Sequence, residues 1–385
     1  MTAEPAVLGG EPVFSEPIAF ARPSIEEPEK VLELIRGSFE SGMLTNGPLV
    51  QQLEERIAEA FGVRNCVAVS SCTTGLMLTV QALGDGGTVA VPSFTFSATA
   101  HAVAWNGYPV RFMDCDPDTW LVGSGDIPDD VSMVLATHVS GVPCDVVDLE
   151  RRCRELGIPL LFDAAHGAGS TTTVDGTTVP LGRFGNAEVF SLTPTKVLSG
   201  AEGGLVTTDD DELAARIRLA RDYANPGDYD TRFAGLNGRL SELHAALILV
   251  ALGHLEERVA RRAAVADRYR ARLGQVPGIS WQQVPEGRSS SYKDFIITVD
   301  AEEFGAHRDR VVPALRAEGV PTRPYYAPPV HRQQAYAHVE TGPLPVTDHL
   351  ADRVIALPIW SEMTEEQVEG VADALEKLHH HASRL

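Results

Sequence analysis

Leu160-Leu161-Phe162-Asp163-Ala164-Ala165-His166 is the stretch whose reading decides the fold class. Three large apolar residues run straight into a carboxylate and then into small residues. A run that short, apolar on both faces and closed by a polar residue, reads as a strand buried inside a parallel sheet. Similar runs recur on either side of it, at Cys66–Val69, Thr88–Val91, Val110–Met113, Ser132–Ala136, Ala187–Ser191 and Gly204–Thr207. Amphipathic stretches separate them, with helices expected at Gly75–Leu83, Ser97–Asn106, Val146–Leu156 and Asp210–Asp222. Such alternation predicts a large, doubly wound α/β domain: a mostly parallel sheet with helices on both faces. Upstream, the helical spacing of Glu27–Glu40 and Leu49–Ala60 is interrupted by Gly42 and the Asn46-Gly47-Pro48 turn. Downstream, a long helix runs from Ser241 to about Leu273, ending or bending near Gly253. Beyond it, Gly278–Trp281, Tyr292–Val299, a helix at Arg308–Glu318 and a closing helix at Glu365–His381 suggest a smaller α/β unit. The expected division is residues 1–255, with the N-terminal segment, as the large domain and 256–385 as the small C-terminal one.

Composition bounds the function. Of 385 residues, 44% are hydrophobic and 22% charged, the balance of a soluble globular enzyme. A net charge of −21 argues against nucleic acid or an anionic membrane as partner, since both need a basic surface. It leaves room for a small phosphorylated ligand held by local dipoles and a few arginines. Cys66, Cys72, Cys115, Cys144 and Cys153 are scattered and form no CxxC pair, which reads as a reduced, cytoplasmic chain without structural zinc. The acidic, Pro-rich N-terminus lacks the pattern of a signal peptide, and the longest apolar stretch, Ala245–Leu252, is too short to span a bilayer. Only four residues are lysines: Lys30, Lys196, Lys293 and Lys377. A lysine in an unusual place therefore needs a reason.

In a parallel α/β sheet, ligands bind where the strands end. After the first strand, Ser70-Ser71-Cys72-Thr73-Thr74-Gly75 opens a helix; its free N–H groups suit an anion, and a plain N-cap fits equally. After Pro92, the segment Ser93-Phe94-Thr95-Phe96 offers two aromatics, either to stack on a flat ring or to pack in the core. Asp163 closes an apolar strand, where a carboxylate is costly without a cationic partner. A protonated pyridine nitrogen, a metal shared with His166 and a simple helix cap are the readings open to it. Ser191 ends a strand, and Lys196 follows in a polar loop before Glu202-Gly203-Gly204. A lysine amine attacks aldehydes only when deprotonated, so Lys196 needs surroundings that lower its pKa. The competing reading is a solvated loop lysine. Taken together, an anion cradle, an aromatic plate, a buried carboxylate and a lone lysine are the parts that a pyridoxal 5′-phosphate site requires.

Further motifs lie in order along the chain: Leu44-Thr45-Asn46-Gly47-Pro48, Gly235-Leu236-Asn237-Gly238-Arg239-Leu240-Ser241-Glu242 and His331-Arg332-Gln333-Gln334-Ala335-Tyr336. With those above, the sequence resembles the sugar aminotransferases of the DegT/DnrJ/EryC1/StrS group from about Ile18 to Leu378. The resemblance implies a fold type I, pyridoxal phosphate-dependent transferase of the aspartate aminotransferase kind. It implies that Lys196 joins the cofactor covalently, Asp163 pairs with the ring nitrogen, His166 lies by the ring hydroxyl and Phe96 stacks on the ring. Cys72, Thr73 and Ser191 would hold the phosphate, and Asn237 would reach the phosphate in a neighbouring subunit, implying a homodimer with shared sites. Thr45, Arg239 and His331 are the implied substrate contacts, with Arg323 a further arginine for a diphosphate. Cys72 stands where the group often has glycine, and Gly238 where an aromatic is frequent. Lysine rather than histidine at position 196 favours transamination over dehydration. The implied reaction moves an amino group from L-glutamate to a nucleotide-diphosphate keto sugar. The preferred acceptor is a dTDP-4-keto-6-deoxyhexose, giving a 4-amino-4,6-dideoxy sugar for natural-product biosynthesis. A 3-keto sugar nucleotide, a keto-cyclitol, and a non-catalytic regulatory protein that binds pyridoxal phosphate are the alternatives. His138 reads either as facing the site or as packed. The His379-His380-His381 run reads as a solvated tail, with no metal site expected.

Overall fold

The computed structural model describes residues 3–385. Its strands, in chain order, are β1 Asn65–Val69, β2 Val89–Pro92, β3 Val110–Met113, β4 Met133–Thr137, β5 Leu160–Asp163, β6 Thr171–Val174 and β7 Thr177–Pro180. They continue as β8 Ala187–Ser191, β9 Gly204–Thr208, β10 Ile279–Trp281, β11 Arg288–Ser289, β12 Phe295–Val299 and β13 Val354–Leu357. Seven of them form the main sheet in the order β1-β9-β8-β5-β4-β2-β3. Pairing is parallel from β8 through β5, β4 and β2 to β3, while β9 is antiparallel to both β1 and β8. The sheet is therefore mostly parallel, as the apolar runs predict, and β5 lies at its centre.

Helices cover both faces because the strands are apolar on both. The helices that follow β1, β4 and β9 start where the sequence supplies an N-cap. Ser71, Asp145 and Asp210 accept N–H bonds from the first turns of Cys72–Leu83, Val146–Leu156 and Asp211–Ala220. The long helix is two. Glu242–Leu252 is apolar nearly all round, whereas Leu255–Leu273 is amphipathic and rich in arginine. The chain breaks at Gly253-His254, where the burial pattern changes.

The second unit is a three-stranded sheet, β10-β12-β13, packed with the helices Leu255–Leu273, Arg308–Ala317 and Glu365–His380. Two features differ from the expected division. The N-terminal segment, expected with the large domain, lies against this second unit. Phe14 N–H donates to the Glu318 carbonyl, Ile18 N–H to that of Gly319, and Val13, Phe14 and Ile18 join the second unit's apolar core. A Cβ at Gly370 would come within 2.5 Å of the Phe14 ring, so glycine there makes the seat for it. The other feature is the β6–β7 hairpin, turned at Asp175-Gly176 with positive φ at both residues and extended by β11. No helix among the described residues is long and apolar enough to cross a membrane.

Candidate active site

β5 delivers Asp163 to the carboxyl edge of the sheet, where it is only 4% exposed. Its Oδ2 accepts a hydrogen bond from Thr99 Oγ1 at 2.7 Å and its Oδ1 accepts one from the Ala165 N–H at 3.1 Å. Burial pushes the carboxyl pKa upward, while these donors and the nearby Lys196 pull it back. A carboxylate so placed favours a cation brought to it.

Lys196 follows β8 in a loop folded back on itself: Lys196 N–H donates to the Thr193 carbonyl, and Gly200 N–H to that of Leu192. The side chain is half-buried and its amine bonds to no carboxylate among the described residues. Burial, reinforced by the charge of Lys293, lowers its pKa from the ordinary 10.5 to about 8.

Beside them lies the start of the helix Cys72–Leu83. Ser71 Oγ accepts the Thr74 N–H at 3.0 Å, so the N-cap reading is correct for Ser71. Among the described residues, no acceptor takes the N–H of Cys72 or Thr73. Gly204 of β9 passes so close that a Cβ there would lie 2.5 Å from the Cys72 nitrogen. Ser191 is buried and pairs with Gly204 across the ladder, at the same edge. Phe94 is packed in the core between Trp120 and Tyr326, whereas Phe96 is 58% exposed. A cradle with free donors, an uncovered aromatic face, a buried carboxylate and a weakly basic amine fit the phosphate, ring, ring nitrogen and aldehyde of pyridoxal phosphate.

The model of the DegT/DnrJ/EryC1/StrS aminotransferase family matches residues 26–376. The chain belongs to that family. Among solved structures, this aminotransferase is similar to DesI, determined in the presence of its TDP-sugar product. The two share 35% identity over 98% of this chain and 97% of DesI, with a TM-score of 0.91. It is also similar to TlmJ of Streptoalloteichus hindustanus, at 30% identity over 96% and 100% of the two chains and a TM-score of 0.86. DesV of S. venezuelae follows at 28% identity, 93% and 99% coverage and a TM-score of 0.84. The protein is thus an enzyme with the fold of type I transferases, and its cofactor is pyridoxal 5′-phosphate.

Within the aminotransferase, His166 joins the Lys196–Asp163 group. Its Nδ1 accepts the Ser140 N–H at 3.2 Å, which leaves the ring proton on Nε2, and burial keeps its pKa well below the usual imidazole value. Cys72 Sγ lies 3.9 Å from Asp163 Oδ1, and burial pushes the thiol pKa well up, so it stays protonated. Other expected contacts are engaged within the chain. Thr45 Oγ1 donates to the Leu240 carbonyl at 2.9 Å, Arg239 pairs with Asp222 over the Tyr223 ring, and Arg323 lies over Phe20. His331 Nδ1 lies 2.6 Å from Ser93 Oγ and its Nε2 lies 3.2 Å from Asp348. Asn237 is exposed on a loop whose next residue, Gly238, accepts the Ser70 N–H beside the cradle. His138 is fully buried, stacked on Phe162 and accepting the Cys144 N–H, so it is packed rather than facing the site. His379 and His380 are not a tail: they end the helix Glu365–His380, and each ring nitrogen meets a backbone carbonyl. No cluster able to hold a metal occurs among the described residues.

Thr99, Lys293 and Asp294 were missing from the expected set. Thr99 lies on the helix after Phe96, in plain view of the sequence. Lys293 carried the one available signal, its rarity.

Proposed function

We propose that this aminotransferase carries pyridoxal phosphate on Lys196 and moves an amino group from L-glutamate to a nucleotide-diphosphate keto sugar. The observation that carries the reading is the weakly basic amine of Lys196 beside the buried Asp163 on one sheet edge. When bound, the cofactor supplies an aldehyde that holds the amino group and a protonated ring that withdraws electrons. Lys196, with its pKa near 8, is matched to taking a proton from the donor's α-carbon and returning it near neutral pH. Asp163 would hold the ring nitrogen protonated, with Thr99 fixing its orientation. Cys72 and Thr73 N–H groups and Ser191 would bind the phosphate. Phe96 would cover the ring face, and His166, neutral with its proton on Nε2, would donate to the ring hydroxyl.

The preferred acceptor is a dTDP-4-keto-6-deoxyhexose, supported by the likeness to DesI with its TDP-sugar product. Arg239 would grip the diphosphate by exchanging Asp222 for it. His331 and Thr45 would line the substrate's approach through the elements they already brace. A second copy would complete the site, with Asn237 reaching the partner's phosphate. Exposed Leu32, Phe39, Met43 and Leu44 near the Asn46-Gly47-Pro48 turn support a covered face there. The test is a panel of 4-keto and 3-keto sugar nucleotides and keto-cyclitols with L-glutamate, with products identified by mass and NMR. A 4-amino-4,6-dideoxy sugar nucleotide is expected. A 3-amino product or an aminocyclitol overturns the acceptor, and no amine from any acceptor overturns the transfer.

A further inference from the structure

Arg258 lies on the first turn of the helix Leu255–Leu273 and is only 4% exposed. A buried guanidinium is costly unless its fork of donors is met. Four bonds meet it: Nε donates to Glu26 Oε1 at 2.9 Å, Nη2 to Glu26 Oε2 and, at 2.9 Å, to the Ser24 carbonyl, and Nη1 to the Val197 carbonyl at 2.8 Å. Partial burial raises the Glu26 pKa, but the Arg258 bond and charge outweigh it and hold the carboxyl below its usual value. The guanidinium therefore ties together the second unit's helix, the N-terminal segment at Ser24 and Glu26, and the loop of Lys196. Among the described residues, Arg258 is the only donor to the Val197 carbonyl.

Packing alone does not hold that loop. Gly200 abuts the helix Glu242–Leu252, where a Cβ would fall 2.1 Å from Ile248 Cγ1. Beside that contact is a cavity of about 150 Å³, lined by Pro194, Ser199 and Ala201 of the loop, by Ile25 and Glu26 of the N-terminal segment, and by Arg258. Ala201 also lies in the left-handed region at φ +67°, which an alanine keeps only where its surroundings impose it. A loop with a cavity behind it and strain within it would relax if the buried Val197 carbonyl lost its donor. We propose that Arg258, clamped by Glu26, is a positioning residue for transamination: through the Val197 carbonyl it fixes the backbone from which Lys196 reaches the cofactor and the donor's α-carbon. The proposal rests on Lys196 bearing the cofactor. Misplacing a reacting group by about 1 Å costs up to about 10²-fold in rate, so a bond to the residue next to Lys196 is close enough to matter.

The test reads the loop first and the rate second. In the full-length chain stripped of cofactor, hydrogen–deuterium exchange with mass spectrometry follows the peptide holding Lys196 and Gly200, whose N–H groups bond within the loop. Arg258→Met should speed exchange there by at least about tenfold, while β5 and the helix Glu365–His380 keep wild-type protection. In the cofactor-loaded enzyme its kcat should fall by about 10- to 100-fold, with KM for L-glutamate within about threefold of wild type. The kinetic isotope effect with α-deuterated glutamate should grow, because proton transfer becomes the slow step. Arg258→Lys should restore neither the loop nor the rate, since a single ammonium cannot span Glu26, Ser24 and Val197. Faster exchange throughout the chain with unchanged turnover per folded molecule marks a merely structural arginine and overturns the role, as does a loop with wild-type exchange. Should Arg258→Met fail to fold, Glu26→Ala, which opens the clamp at a side chain 25% exposed, decides alone: an unmoved loop with an unmoved isotope effect overturns the role. Failure of the cofactor assignment shows separately, as a borohydride label on a lysine other than Lys196 in the wild type, and overturns this role with it.

Discussion

Around Lys377, where the N-terminal segment meets the second unit, every charge has a partner; around Lys196, at the edge of the large sheet, several do not. Lys377 donates to Glu318 Oε2 at 2.9 Å and to the Glu11 carbonyl at 2.8 Å. Glu318, fully buried, also accepts the N–H groups of Ala6 and Val13. Burial is compensated by hydrogen bonds that only the folded chain makes, and the result is a clasp. Asp163 is buried and Lys196 half-buried, with fewer partners, and both pKa values move toward the neutral forms. A lysine and a carboxylate thus have different surroundings in the two regions. Satisfied charge fastens the N-terminal segment, and the poorly paired charge at the sheet edge is what we propose to hold the cofactor.

Substitutions should separate the two regions. The largest effect is expected from Lys196→Ala, which should lower turnover by at least about 10³-fold, because the proposed proton carrier is lost. Its cofactor-free form should melt no earlier than wild type, since a poorly compensated amine leaves the interior; steady-state rates and calorimetry check both halves. Glu318→Ala comes next. Leaving Lys377 buried without its carboxylate should cost about 3–5 kcal/mol in denaturant unfolding, with turnover per folded molecule held within a factor of two. The smallest effect is expected from Thr99→Val, which removes one donor from Asp163. Its carboxyl pKa should rise further, and cofactor affinity measured by equilibrium titration should weaken by about tenfold, corresponding to roughly 1–2 kcal/mol. If Glu318→Ala silenced turnover and Lys196→Ala only destabilised the fold, the contrast between the regions would be reversed.

Much of the large unit was legible in the sequence because its signals are local. Short apolar runs closed by Asp163 or Ser191 mark strands of a parallel sheet, and the scarcity of lysine singled out Lys196. Gly253 broke the long helix where the apolar pattern gives way to arginines. What stayed hidden depends on contacts between distant segments. Nothing near Phe14 announces that Gly319 and Gly370 leave room for it. Nothing near Lys293 announces that chain folding carries it to a loop almost a hundred residues earlier. Arg239, Thr45 and His331 were expected by resemblance to touch substrate. Their bonds to Asp222, Leu240 and the Ser93–Asp348 pair are set by tertiary packing, which spacing does not encode. The hairpin at Asp175-Gly176 carries a turn signal but no apolar run, because its strands are mostly threonine.

Of the four lysines, Lys196 is the one proposed to hold the cofactor. Borohydride reduction of the cofactor-loaded enzyme, followed by proteolysis and mass spectrometry, tests it directly. The peptide containing Lys196 should gain the mass of the reduced cofactor, and those containing Lys30, Lys293 and Lys377 should not. A label on Lys293, or on none of the four, would contradict the account.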